Sequence, residues 1–467
     1  MTTPSLRHRF HRSVLREYDI RGVVGETLGE DDARAIGRAF GSVVAKAGGT
    51  SVCVGRDGRL SSPDLEAALV EGLAATGLEV RRIGVGPTPM LYFAVNHTAA
   101  SAGIMVTGSH NPPDHNGFKM LLAQRPFYGR DITLLGRVAA AGAFLTGEGR
   151  VRDVPVFPDY VERLRADWDG GTRALTVVWD AGNGAAGAVM AALAGRLPGH
   201  HILLNGAIDG TFPAHHPDPT DPETLVQLQR TVLEQAADLG IAFDGDGDRL
   251  GVVDGRGRIL WGDHILPILA EPVLAAHPGA PIIADVKASQ SLFDQIKRLG
   301  GRPVMGRTGH SLIKARMAEL KAPLAGEMSG HIFFADRYYG YDDGLYAAVR
   351  LLGVIAGWPE GETLADRYDI MPHPLNTPEL RFPCPDDQKF DIVQAVKARL
   401  VEEGAIINDV DGVRVTTPKG WWLLRASNTQ AVLVGRCEAA TQAGLDDLRA
   451  ELARRLREAG ATMPAFG

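Results

Sequence analysis

The stretch Ser51-Val52-Cys53-Val54-Gly55-Arg56-Asp57 is the first copy of a pattern that decides the fold of this chain. It is a short apolar run that ends in an aspartate, and a loop of Gly, Ser and Pro residues follows it. A helical stretch over residues 64–76 and a second apolar run over residues 80–83 complete the unit. Strand, loop, helix and strand within about 30 residues is the size of a parallel βαβ module.

The same pattern occurs three times, at residues 51–83, 176–204 and 281–305. Three copies predict three similar α/β domains that arose by duplication. The alternative is ordinary βαβ units without duplication, because any α/β protein contains strand–Asp–loop–helix segments.

The C-terminal part of the chain follows a different plan. Five prolines between residues 372 and 385 predict a linker. The pattern then predicts a helix, three strands and a helix at residues 388–403, 412–416, 421–425, 430–438 and 444–459. Neighbouring strands without βαβ alternation indicate a small α+β domain. We therefore expect an α/β protein with three similar α/β domains and a C-terminal α+β domain, at residues 1–155, 156–258, 259–370 and 371–467.

Composition excludes several classes of protein. The 467 residues are 45% hydrophobic and 22% charged, which is ordinary for a globular protein. A net charge of −7 argues against a general nucleic-acid or membrane-surface binder, and no window has the apolar length of a membrane span. The three cysteines are scattered and show no metal-binding spacing. We expect a soluble cytoplasmic protein that binds neither nucleic acid nor membrane.

Residues 106–119, VTGSHNPPDHNGFK, form the most informative loop. The apolar run Ile104–Val106 predicts a buried strand, and the two consecutive prolines forbid a helix after it. Ser109 therefore sits on a rigid loop at a strand end, where α/β sheets bind their ligands. It is a candidate nucleophile, and His110 and Lys119 lie on the same segment.

A second loop, Asp244-Gly245-Asp246-Gly247-Asp248-Arg249, places three carboxylates at alternate positions after an apolar run. Such carboxylates repel one another unless a cation neutralises them, and oxygen ligands favour a hard divalent ion such as Mg²⁺. One alternative is a solvated acidic turn. Another is a haloacid-dehalogenase phosphotransferase with Asp244 as the nucleophile, although that family expects Thr or Val where Asp248 stands.

Two further loops suit sugar and phosphate groups. Glu327, Ser329 and His331, on the loop GEMSGH, can hydrogen-bond sugar hydroxyls, although a capping Glu and a core His would look the same. The turn RASNT at residues 425–429 suits a phosphate dianion, with an ordinary polar hairpin as the alternative. Residues 18–22 are a weaker candidate for an anion contact.

In this order the loops TGSHNPPDHNGFK, DGDGDR, GEMSGH and RASNT resemble the α-D-phosphohexomutase superfamily along nearly the whole chain. GEMSGH and the opening REYDIRG are most similar to the bacterial phosphomannomutase/phosphoglucomutase branch. Phosphoglucosamine mutases usually carry Gln where Met328 stands. The resemblance implies four domains with one loop from each meeting at a central cleft.

The resemblance also implies residue roles, with Ser109 as the carrier of the phosphoryl group. It implies Mg²⁺ ligands at Ser109, Asp244, Asp246 and Asp248. It assigns catalytic roles to Lys119, Arg21, Arg249, His110 and His331. It assigns substrate-binding roles to Tyr18, Lys287, Thr308, Gly309, His310, Glu327, Ser329, Arg425, Ser427, Asn428 and Thr429.

The implied reaction moves a phosphoryl group reversibly between C1 and C6 of mannose or glucose phosphates, through a hexose 1,6-bisphosphate that turns around. Glucose 1,6-bisphosphate or mannose 1,6-bisphosphate would act as activator, and the partners would be hexose monophosphates. The resemblance suggests a monomer or weak dimer. The alternatives are a phosphoglucosamine mutase, a serine-dependent sugar phosphatase and a non-catalytic sugar-phosphate sensor.

Overall fold

The computed structural model describes residues 7–171, 173–428 and 430–461, which form four sheets with helices packed against them. The first unit contains β1 (Ile20–Val23), α1 (Glu30–Lys46), β2 (Ser51–Arg56), α2 (Ser62–Ala74), β3 (Glu79–Val85), α3 (Thr88–His97), β4 (Ala102–Val106), β5 (His115–Leu122), β6 (Arg125–Pro126), α4 (Arg130–Ala141) and β7 (Arg150–Asp153). The second contains α5 (Phe157–Arg165), β8 (Leu175–Asp180), α6 (Gly187–Ala194), β9 (Gly199–Leu204), a 3₁₀ turn (Pro222–Leu225), α7 (Val226–Glu234), β10 (Leu239–Phe243), β11 (Leu250–Asp254) and β12 (Ile259–Leu260).

The third unit contains α8 (Gly262–Ala276), β13 (Pro281–Asp285), α9 (Gln290–Arg298), β14 (Arg302–Gly306), α10 (His310–Leu320), β15 (Leu324–Gly326), β16 (Ile332–Phe334), α11 (Gly344–Ala356) and α12 (Leu364–Asp369). The fourth contains β17 (Leu375–Asn376), β18 (Leu380–Pro383), α13 (Lys389–Glu402), β19 (Ile406–Asn408), β20 (Val413–Thr417), β21 (Gly420–Ala426), β22 (Val432–Ala439) and α14 (Gln442–Glu458).

The first three sheets share one topology. Their common strand orders are β5-β4-β2-β3, β11-β10-β8-β9 and β16-β15-β13-β14. In each, three strands are parallel and the fourth pairs antiparallel as the second arm of a hairpin. The fourth sheet is antiparallel throughout. Three α/β units of one topology and an α+β unit confirm the predicted fold class, and the boundaries between the domains remain predictions.

The segment that follows the Ser109 loop forms more regular secondary structure than the sequence predicted. We expected a loop to continue to Lys119, but β5 begins at His115 and Lys119 is inside it. Asn116 and Gly117 near the start of this strand are buried where they pair with β1, and the rest of the strand pairs antiparallel with β4. Pairing with β4 in a hairpin and with the distant β1 therefore turned a turn-like sequence into a central strand.

The predicted proline-rich linker is also partly wrong. Residues 372–385 contain β17 and β18, and both pair with β22. Proline lacks the backbone N–H that a central strand needs, so it is tolerated at the edge of a sheet. The segment is consequently an edge of the fourth sheet.

The fourth unit has a hydrophobic core of its own. A single large cluster runs from α3 through the second and third units, whereas the fourth unit packs around Trp422, Leu424, Leu433 and Leu452. Val286, Trp421 and Leu423 form a small buried apolar cluster between the third and fourth units. Among the described residues, no helix has the length and apolar character that crossing a membrane requires.

Candidate active site

One loop from each unit reaches a common cleft of about 700 Å³. The loops follow β4, β10, β15 and β21, so the first three occupy the same place in the repeated topology, the hairpin connection. The lining includes Tyr18, Arg21, Ser109, His110, Lys119, Arg249, Lys287, Thr308, Gly309, His310, Glu327, Ser329, His331, Arg425, Ser427 and Asn428. Thr429 lies outside the described residues. The predicted site residues are thus brought together, and their roles remain predictions.

Ser109 is buried and held in an unusual backbone conformation. Its φ is 49°, in the left-handed region, and its Oγ donates to Oδ2 of Asp244 at 3.0 Å. Nδ1 of His110 lies 3.3 Å from the same Oγ, and burial holds the pKa of His110 well below its usual range. The hydroxyl of Thr107 accepts the backbone N–H of Ser109 at 2.9 Å.

The three aspartates after β10 form a compact, fully buried cluster. Oxygens of Asp244, Asp246 and Asp248 lie within 4.8 Å of one another. Nζ of Lys119 donates to Asp246 at 2.7 Å and to Asp248 at 2.5 Å. Gly245 is required beside them, because an added Cβ would lie 2.3 Å from the carbonyl oxygen of Ser109. The backbone of the loop that carries the aspartates (residues 244–249, the metal loop) is therefore in contact with the backbone of the loop that carries Ser109 (residues 107–114, the serine loop).

The charge balance of this cluster fits a metal ion. Burial, with the two neighbouring carboxylates, raises the pKa of Asp244 well above its usual range. Burial alone would also raise the pKa of Asp246, but the Lys119 ammonium holds it well below its usual range. Within the described part of the chain, Oδ1 of Asp246 and Oδ1 of Asp248 have no hydrogen-bond partner. Orphaned buried carboxylate oxygens are ligands suited to a hard divalent cation.

Arg249 and His331 connect the metal loop to the loop GEMSGH (residues 326–331, the sugar loop). Nε of Arg249 donates to Nε2 of His331 at 3.0 Å, so a neutral ring carries its proton on Nδ1. That nitrogen lies 3.0 Å from Oδ2 of Asp342, whose other oxygen accepts Lys314 at 2.8 Å. The His310 ring stacks on His331 at 5.5 Å. Sequence reasoning missed Asp342, which lies outside the named strands and which no local motif marks.

The sugar loop is held in place by hydrogen bonds to other segments of the third unit. Oε1 of Glu327 accepts the backbone N–H of Gly309 at 2.6 Å, and burial raises the pKa of Glu327. The strand-end Asp285 accepts the backbone N–H of Met328 at 3.2 Å. Lys287 lies two residues further and reaches Glu379 of the fourth unit at 3.1 Å. Asp285, the aspartate at the end of β13, thus supports the loop between β15 and β16.

Arg425 and Tyr18 tie three units together at the far end of the cleft. Oδ2 of Asp411 accepts Nε of Arg425 at 2.9 Å and the backbone N–H of Thr308 at 3.1 Å. The Tyr18 hydroxyl donates to the carbonyl of Thr308 at 2.8 Å and accepts Nδ2 of Asn428 at 2.5 Å. Burial raises the pKa of Tyr18 to about 12, so it remains a donor at neutral pH. Asp411 was also missed, because its partners are distant in sequence.

Comparison with known proteins supports the four-unit architecture. Family profiles described as "Phosphoglucomutase/phosphomannomutase" alpha/beta/alpha domains I, II and III match residues 12–133, 158–257 and 261–373, and the profile of the C-terminal domain matches residues 379–455.

The chain is similar to the "Phosphomannomutase/phosphoglucomutase" of Pseudomonas aeruginosa, with 44% identity over 452 residues and 97% of each chain covered. It is 40% identical to the "Phosphoglucomutase" of Neisseria gonorrhoeae over 442 residues, covering 94% of this chain and 95% of the relative. A crystal structure of a "Phosphoglucomutase/phosphomannomutase family protein" from Burkholderia thailandensis superposes with a TM-score of 0.92 at 44% identity, covering 98% of this chain and all of that one. The chain therefore belongs to the phosphoglucomutase/phosphomannomutase family of phosphohexomutases.

Proposed function

We propose that this enzyme moves a phosphoryl group reversibly between C1 and C6 of mannose and glucose phosphates, with a phosphoserine at Ser109 and a hexose 1,6-bisphosphate as intermediates. The observation that carries the proposal is the pairing of two anion sites in one cleft. Ser109 lies against a buried aspartate cluster suited to a metal ion, and Arg425 lies across the same cleft.

The residues around Ser109 match the needs of phosphoryl transfer, which depends on alignment and charge stabilisation. Asp244, Asp246 and Asp248, with the Ser109 side chain, would hold Mg²⁺. When bound, that ion neutralises charge on the transferring group. Lys119 and Arg249 add positive charge from two sides.

The rest of the cleft would bind the sugar in either orientation. Glu327 and Ser329 hydrogen-bond hydroxyls common to both sugars, because glucose and mannose differ only at C2. Arg425 holds whichever phosphate is not reacting, since a phosphate presents the same oxygens at C1 and at C6. The intermediate turns around between the two transfers, and glucose 1,6-bisphosphate or mannose 1,6-bisphosphate primes Ser109.

The surroundings of Ser109 favour a mutase over a phosphatase. Ser109 is 2% exposed and its Oγ donates to Asp244, so we infer that bulk water has little access to a phosphate there. We also infer a monomer or weak dimer in the cytoplasm, in line with three buried free cysteines.

The test supplies glucose 1-phosphate with catalytic glucose 1,6-bisphosphate and Mg²⁺, and measures glucose 6-phosphate against free phosphate. Parallel reactions use mannose 1-phosphate and glucosamine 1-phosphate. We expect the two hexose 6-phosphates with little free phosphate. Free phosphate as the main product indicates a phosphatase, preference for glucosamine indicates a phosphoglucosamine mutase, and binding without turnover indicates a sensor.

A further inference from the structure

We propose that Arg59 is a positioning residue for the phosphoserine: its guanidinium, paired with Asp57, holds the serine loop in the geometry that aligns Ser109 for transfer. This inference rests on the proposed mutase reaction. It concerns a side chain that does not line the cleft and has no part in the roles derived above.

The guanidinium of Arg59 is enclosed by the serine loop. Its side chain is 0% exposed, and its terminal nitrogens donate to four backbone carbonyls between Ser109 and His115. The acceptors are the carbonyl oxygens of Ser109 at 2.7 Å, Asn111 at 2.5 Å, Pro112 at 2.5 Å and His115 at 3.0 Å. The loop between β4 and β5 is therefore wrapped around one fixed cation.

Asp57 holds the other side of the same loop. Its Oδ2 lies 3.2 Å from Nε of Arg59 and accepts the backbone N–H of Gly108 at 3.1 Å. Its Oδ1 accepts the hydroxyl of Ser62 at 2.5 Å. Asp57 thus binds the backbone N–H of Gly108, and Arg59 binds the carbonyl of Ser109 and the carbonyls of three residues that follow it.

The fit between loop and guanidinium is close. A Cβ on Gly108 would lie 2.3 Å from Nε of Arg59, so only glycine allows the loop to approach this far. The ring of Phe212, from the second unit, covers the guanidinium at 5.1 Å from its centroid. The clamp therefore sits where the unit with the serine loop meets the unit with the metal loop.

These contacts matter for catalysis because Ser109 adopts a left-handed conformation, with φ of 49°. Non-glycine residues keep such a conformation only where the surroundings enforce it. Lysine provides a single charged point and cannot satisfy four carbonyls arranged around a planar fork. We expect Arg59→Lys to leave the charge in place and to release the loop.

The experiment compares Arg59→Lys with the control Arg56→Lys in the mutase assay with saturating Mg²⁺. Arg56 lies three residues earlier and pairs with the buried Glu66 at 3.0 Å, so it matches Arg59 in location and ion pairing. A misplacement of about 1 Å costs about 100-fold in rate. We therefore expect kcat of Arg59→Lys to fall about 100-fold with KM within about twofold of wild type, and both constants of Arg56→Lys to stay near wild type.

A second measurement separates positioning from general damage to the fold. In rapid-quench experiments, phosphorylation of Ser109 by glucose 1,6-bisphosphate should slow by the same factor as kcat, while the melting temperature and the affinity for glucose 1-phosphate stay near wild type. If Arg59→Lys does not fold, Asp57→Asn provides the test through the Gly108 contact, with the same pattern expected. A kcat within about threefold of wild type, or a loss matched by KM, would overturn the inference. A wild-type chain without turnover would instead refute the proposed function.

Discussion

Replacing Arg425 by alanine tests how one site accepts both ends of the sugar. Nε of Arg425 donates to Asp411, so the two terminal nitrogens of its guanidinium are the groups that would donate to phosphate. A hydrogen bond to a charged group contributes roughly 1.5–3 kcal/mol, which corresponds to about 10- to 150-fold in affinity. Because the distal phosphate is bound in either orientation, the loss should apply to glucose 1-phosphate and glucose 6-phosphate alike.

The assay measures KM in both directions and the bisphosphate released into solution during a single turnover of labelled enzyme. We expect Arg425→Ala to raise both KM values and to release more bisphosphate, because the intermediate must be gripped again after it turns. The control is Arg399→Ala, an exposed arginine of α13 whose ion pair with Glu458 at 3.7 Å should contribute little.

Two results would refute the reasoning. An unchanged KM with no extra bisphosphate means that Arg425 does not hold a phosphate. A rise in KM for only one of the two substrates means that the site distinguishes C1 from C6 phosphates.

Four other predictions concern the nucleophile, the metal, the sugar and the stability of the second unit. Ser109→Ala should abolish most turnover while leaving substrate binding largely intact, and near wild-type turnover in the variant would contradict this. Intact-mass measurement should find that a fraction of the purified wild-type protein is about 80 Da heavier than the sequence mass, with the extra mass on Ser109. Asp246→Asn should weaken Mg²⁺ binding and so sharply raise the Mg²⁺ concentration that activity requires, and full activity in EDTA would exclude a metal site. Glu327→Gln should depress turnover of glucose and mannose phosphates similarly, whereas a loss confined to one epimer would show that the loop contacts C2. Nε2 of His215 donates to Oδ2 of Asp180 at 2.9 Å, which raises the pKa of His215, so this stabilisation is complete below the unfolded-state pKa and lost as pH rises through the folded-state value. Chemical denaturation should accordingly show that His215→Gln destabilises the protein more at about pH 5.5 than at about pH 8.5, and equal effects at both would contradict the assignment.

The sequence by itself determined the secondary structure that short-range patterns encode. Apolar runs that end in aspartate predicted β2, β8 and β13, and their recurrence predicted three α/β units. The loop motifs, through their resemblance to a known family, predicted which residues gather in the cleft, although their strands belong to four different sheets. Side-chain periodicity and turn chemistry are local, so they can be read without knowing any partner.

Only the tertiary structure decided the features that depend on distant partners. The segment from His115 became a strand because β1 and β4 flank it, and the proline-rich stretch joined an edge of the fourth sheet because β22 offers it a partner. Asp342, Asp411 and Arg59 carry no local signature, yet each is buried against groups that other elements bring to it. A buried polar group is stabilised by whichever partner the fold supplies, and that pairing exists only once the units have packed together.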